Sequence, residues 1–181
     1  MNRTFSISSL FLILFLAIFH CVQSTNDIIE DTCKKLVANN TELNFDFCVK
    51  SLGSDPESHE ANLERLGLIG LKLFQANFTV TAEYIKQLVK QKLEPRLLKA
   101  LSLCLDLYAS VEDKDLTPFY KAKRYADVNT WVSAMKANAD VCDKQYTRKG
   151  GMVPPLTKRN ADVEHLSAIV LGILTILTGR A

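Results

Sequence analysis

Cys33, Cys48, Cys104 and Cys142 are the residues whose type and spacing could do chemistry. Three chemistries are open to them: disulfide formation, metal ligation and nucleophilic catalysis. A zinc site lacks its parts, because no Cys-x-x-Cys pair occurs and only His59 and His165 lie downstream of the N-terminal segment. Catalysis lacks them too. The chain holds no Gly-x-Ser-x-Gly, no His-Glu-x-x-His and no glycine-rich phosphate loop following a strand. His59 falls at a helix start and His165 inside a helix, positions that read as surface or structural. The many Asp and Glu residues read as solvated helix faces. The expectation is therefore a protein that is not an enzyme and that binds neither metal nor cofactor.

Disulfides need an oxidising compartment, and the N-terminus supplies the route to one. "MNRTFSISSLFLILFLAIFHCVQS" begins with Arg3, runs apolar from Leu10 to Phe19 and reaches Val22-Gln23-Ser24, the pattern of a signal peptide over residues 1–24. The apolar run is shorter than the about 20 residues that a spanning helix needs. Cleavage removes the fifth cysteine, Cys21, and leaves an even set in a chain of single-domain length. Asn39 and Asn77 each begin an Asn-x-Thr sequon and are glycosylation candidates on the same route. The formal net charge of +2 makes no case for a nucleic-acid partner.

The elements that position these cysteines are helical, since the apolar spacing shows no sustained alternation. Ile28, Ile29, Cys33 and Leu36 share one face of a short helix. A second, "FDFCVKSL", has Asn44 as cap and Gly53 as stop. Residues 25–56 thus form an N-terminal hairpin, and residues 57–181 supply four longer helices. The first is predicted to open at Asp55 and Pro56, with Leu63, Leu66, Gly70, Leu73, Val80 and Tyr84 facing the core. Gly67 and Gly70 predict a close helix crossing, while Asn77 lies off the stripe and faces solvent. The second begins at Pro95 and buries Leu97, Leu101, Cys104, Tyr108 and Val111. Pro118 is expected to kink or end a helix near Thr117. The third follows Tyr125, with Val128, Val132, Met135, Ala139, Cys142 and Tyr146 inward. After a loop, "TRKGGMVPPLT", the last helix carries Val163, Leu166, Val170, Ile173 and Leu177. Its "LSAIVLGILTILTG" is too short to span a membrane, and burial among neighbours explains its apolarity.

The predicted architecture is all-α: an up-down-up-down four-helix bundle preceded by an N-terminal helical hairpin, one domain over residues 25–181. Four cysteines allow three pairings. Local geometry favours Cys33–Cys48, across the hairpin, and Cys104–Cys142, between the second and third bundle helices. In the chain-entropy account these would contribute roughly 3 and 4 kcal/mol.

The stretches "DTCKK", "FDFCVKSLGSDPES", "LEPRLLKALSLCLDLY" and "NTWVSAMKANADVC" together resemble the plant invertase and pectin methylesterase inhibitor family, including its pollen-allergen-like members labelled invertase inhibitors. The resemblance implies stoichiometric, non-covalent capping of a cell-wall carbohydrate-active enzyme by a protein secreted to the apoplast. Invertase-directed members share a Pro-Lys-Phe motif whose lysine approaches the target's catalytic acids. Here the aligned Lys123-Arg124-Tyr125 keeps a cation and an aromatic but lacks the proline. "NTWVSAM" is similar to the Thr-Trp-Leu-Ser-Ala of pectin methylesterase inhibitors. Pectin methylesterase is therefore the favoured target and cell-wall or vacuolar invertase the alternative. A non-inhibitory storage or allergen-type protein is the remaining reading. The family analogy makes Lys123, Arg124 and Tyr125, with the outward-facing Thr130, Ser133, Asp140 and Lys144, the candidate contacts. After signal cleavage no membrane association is expected, and the protein is a monomer or a dimer with exchanged hairpins.

Overall fold

A computed structural model describes residues 28–111, 113–147 and 155–179. The N-terminal segment read as a signal peptide, most of the glycine- and proline-containing loop and the side chain of Tyr146 lie outside the described residues. Helix α1, Ile28–Asn39, and helix α2, Phe45–Leu52, form the hairpin. The Asn44 side chain caps α2 by accepting from the Phe47 N–H at 2.8 Å. Cys33 and Cys48, both fully buried, are bonded across it with their Cα atoms 5.8 Å apart.

Asp55 does cap a helical turn, but not the long helix expected there. Pro56–Glu60 is a single 3-10 turn, in which the Ser58 hydroxyl donates back to the Asp55 carbonyl at 2.6 Å. The backbone then extends through Ala61 and breaks the ladder. The Asn62 side chain starts α3, Leu63–Leu88, by accepting from the Arg65 N–H at 2.8 Å. The buried side of α3 also differs from the expected stripe. Leu66, Ile69, Leu71, Phe74, Phe78, Ala82 and Ile85 are inside, whereas Val80 is 56% exposed. The helix packs against both helices of the hairpin and three further helices, so its buried arc is wide and centred away from Val80.

Helices α4, Pro95–Ala109; α5, Thr117–Lys121; α6, Tyr125–Thr147; and α7, Thr157–Leu177, complete the chain. Pro118 opens the short α5 rather than ending a helix, since a first-turn residue needs no intrahelical N–H bond. Helices α3, α4, α6 and α7 each pack on the next, and α7 packs back on α3, the closed ring of an up-down-up-down bundle. The stripes of α4 and α6 fall as predicted, except that Leu97 is only half-buried, and Cys104 is bonded to Cys142 with a Cα separation of 4.9 Å. Beside that bond, buried Asn160 of α7 accepts from the Tyr108 hydroxyl at 2.8 Å and donates to Asp143 at 3.2 Å, joining three helices.

Two glycines set close approaches. A Cβ on Gly67 would meet the Tyr120 hydroxyl and lie 2.8 Å from Ile173, which seats α5 and α7 on α3. One on Gly172 would lie 2.5 Å from Leu36, where the hairpin meets α7. At Gly70 the same atom would make ordinary contacts, 3.5 Å at nearest, so the crossing depends on Gly67. Helix α7 is longer than its apolar core suggested. Its 21 residues, with a mean hydropathy of 1.4 over an 18-residue window, meet the length and composition of a membrane span. Val163, Leu166, Ile169, Val170, Ile173 and Leu174 are instead buried in the bundle.

Candidate functional site

The corner between α5 and α6 collects three of the predicted contact residues. Lys123 has φ 57°, the one non-glycine residue in the left-handed region among those described. Its N–H donates to the Tyr120 carbonyl at 2.9 Å, and the Arg124 N–H donates to the Phe119 carbonyl at 2.9 Å. This is the double bond that closes a helix, usually with glycine at the position of Lys123. A side chain there costs about 1–2 kcal/mol.

Both cations at the corner are partnered. Lys123 Nζ lies 3.4 Å from Glu64 Oε2 on α3. Arg124 Nε lies 2.7 Å from Asp127 Oδ2, and its guanidinium sits 4.7 Å over the Phe119 ring. Beneath them the Tyr120 hydroxyl donates to the Glu64 carbonyl at 2.9 Å, and Tyr125 packs edge-on at 5.3 Å. Burial pushes the Tyr120 hydroxyl well above the usual tyrosine range, with Tyr125 and Glu64 adding to it. Desolvation and Glu64 also raise Tyr125, against the opposing pull of Lys123. The corner is thus exposed, rigid in backbone and charge-balanced in pairs, not the bare cationic projection its sequence suggests.

The other predicted contacts spread along α6. Thr130 and Ser133 are exposed, with Ala126, Ala134 and Ala137 beside them, so this face has low relief. The Thr130 hydroxyl donates to the Ala126 carbonyl at 3.0 Å. Asp140 and Lys144 lie farther on, in a groove of about 340 Å³ between α6 and α7 that Asn160 and Glu164 also line. Lys136 bridges Asp140 at 3.0 Å and Glu164 at 3.4 Å. Burial works against its charge, but the two carboxylates more than offset that and raise its pKa. At 1.5 Å per residue, Lys123 and Lys144 stand about 30 Å apart. They can serve one partner only if it covers the whole of α6.

Glu64 and Asp127, the partners of the two cations, were not among the predicted residues. Asp127 could have been found, three positions after Arg124 on a helix. Glu64 is brought in by tertiary packing alone. Of the sequons, Asn39 is exposed at the end of α1. Asn77, expected to face solvent, is half-buried in a groove with Phe47, Leu73 and Leu166, and its Oδ1 is enclosed without a partner. No group of three or more metal-ligating side chains occurs among the described residues.

Paired charges and small polar side chains on a cross-linked bundle form an arrangement that can dock a second protein. Comparison with known proteins agrees. Residues 27–173 match the family described as "Plant invertase/pectin methylesterase inhibitor". The chain is 36% identical to a Platanus acerifolia protein named "Putative invertase inhibitor", over 98% of this chain and 99% of that one. It is 28% identical to a pectinesterase inhibitor from Actinidia deliciosa, over 95% of each chain. A solved structure of a pectin methylesterase inhibitor from Arabidopsis, mutant form A, shares the fold: TM-score 0.69 at 24% identity, over 83% of this chain and 97% of that one. The cystine-tied hairpin and bundle, and the match across residues 27–173, make this chain a member of the plant invertase/pectin methylesterase inhibitor family, a family of inhibitors and not of enzymes.

Proposed function

We propose that this protein is secreted to the cell wall and inhibits pectin methylesterase by capping its substrate cleft in a one-to-one complex. The observation that carries the choice of target is the outward face of α6. Thr130 and Ser133 stand exposed among alanines, a flat hydroxyl-bearing surface on a rigid helix. Such a surface can lie along a polysaccharide cleft with little ordering cost, because the Cys104–Cys142 bond already fixes the helix. The corner also departs from a Pro-Lys-aromatic one. Lys123 stands where that motif has proline; its φ is 57° and its N–H donates to the Tyr120 carbonyl at 2.9 Å, neither of which proline allows.

Invertase is the second reading, favoured by greater identity to relatives named for it. Besides the Platanus protein, an Arabidopsis thaliana inhibitor named "Cell wall / vacuolar inhibitor of fructosidase 2" is 31% identical over 83% of each chain. The test is to titrate each purified enzyme with the mature protein and follow residual activity and co-elution. Stoichiometric loss of pectin methylesterase activity supports the proposal, and loss of invertase activity alone replaces the target. Inhibition of neither leaves a non-inhibitory secreted protein.

A further inference from the structure

Lys123 and Arg124 are neighbours, yet they are held in unequal ways. The Arg124–Asp127 pair closes at 2.7 Å within one helical turn, and the guanidinium is also stacked on Phe119. The Lys123–Glu64 pair is looser, 3.4 Å, and spans two elements, with 67% and 41% of the two side chains exposed. A contact this open in water is worth little and opens readily. The Lys123 backbone, by contrast, is fixed by two hydrogen bonds of 2.9 Å around it. Its ammonium can therefore swing off Glu64 without moving the corner.

We propose that Glu64 is a specificity-determining residue of the corner. Its carboxylate holds Lys123 in the free protein and gives that cation up to a carboxylate of the bound enzyme. The inference rests on the reading of this protein as an inhibitor whose α5–α6 corner meets its target. A partner with an acidic group in reach of Lys123 replaces one ion pair by another and leaves Glu64 hydrated at the rim. A partner without one leaves Lys123 where it is and gains nothing. Glu64 thus adds a small cost that an acidic cleft offsets and a neutral one does not, an element of the kind that tunes the selectivity of interfaces. Arg124, twice anchored, shapes the corner rather than exchanging partners.

The test uses Glu64→Gln, Lys123→Ala, their combination and wild type, titrated against whichever enzyme the wild type inhibits, at low and moderate salt. Melting temperatures establish that every variant is folded. The expected result is that Glu64→Gln inhibits about two- to fivefold more tightly at low salt, the range of an exposed ion pair. The gain should shrink as salt rises and vanish in the Lys123→Ala background. Unchanged or weaker inhibition by Glu64→Gln, with Lys123→Ala still impaired, overturns the inference and leaves the inhibitor reading standing. A gain that persists without Lys123 also overturns it, because the effect would then be one of overall charge. Full inhibition by Lys123→Ala removes the corner from the interface, and the inference with it. Absence of inhibition by the wild type refutes the functional reading itself.

Discussion

Helices α6 and α7 lie side by side and are of similar length, but they meet water differently. Helix α6 buries Val128, Val132, Met135, Ala139 and Cys142 along one side and exposes Ala126, Thr130, Ser133, Ala137 and Lys144 along the other. Helix α7 is enclosed by α3, by α6 and by both arms of the hairpin. Its apolar residues therefore encircle it instead of forming a stripe. The added hairpin covers α7, and α6 keeps a bare face on which a second protein can lie.

The largest effect should come from placing the same charge on both helices. Ile173→Asp puts an unpaired carboxylate in the core and should cost about 4 kcal/mol or more, whereas Ser133→Asp should stay within about 0.5 kcal/mol. Urea denaturation of the two variants measures the contrast, and equal losses would break it. Gly67→Val comes next. The added methyls meet Tyr120 and Ile173, so a loss of about 1–3 kcal/mol is expected on the α3 side with α6 untouched.

Alkaline pH sharpens the comparison at the two places where α6 is tied down. Tyr120, Tyr125 and Lys136 all have folded pKa values raised above their ordinary ones, from 10.0 for the tyrosines and 10.5 for the lysine. Their contribution is whole below those values and is lost as pH rises through the folded ones. The melting temperature should fall above pH 10, and less steeply in Tyr120→Phe, as thermal scans across that range would show. The smallest effect runs the other way. Lys123→Gly should stabilise the protein by about 0.5–1 kcal/mol, since glycine accepts φ 57° freely, while weakening inhibition. Stability gained without loss of inhibition would mean that the lysine is not used.

The hairpin and the stripes of α4 and α6 were legible because each packs on one side, so spacing alone reports it. Helix α3 was read with Val80 inward because it is wrapped by several neighbours and has no single stripe to find. The start of α3 was misplaced because Asp55 and Asn62 are both competent caps, and only the extended backbone at Ala61 decides between them. At the corner the charged residues were visible but their state was not. Glu64 stands 59 positions before Lys123, and no local pattern announces that the two meet.

The disulfide spacing has a consequence for the order of events as the chain is made. Cys33 and Cys48 are 15 residues apart, Cys104 and Cys142 are 38, and neither loop encloses the other. Each cystine can close once its own segment has emerged, with no earlier wrong pairing to undo. Helix α7, against which the hairpin, α3 and α6 all rest, arrives last. A chain cut short before residue 157 would therefore be correctly cross-linked and still carry its apolar faces uncovered. A cell would have to recognise such a product by its grease, because its thiols would look finished.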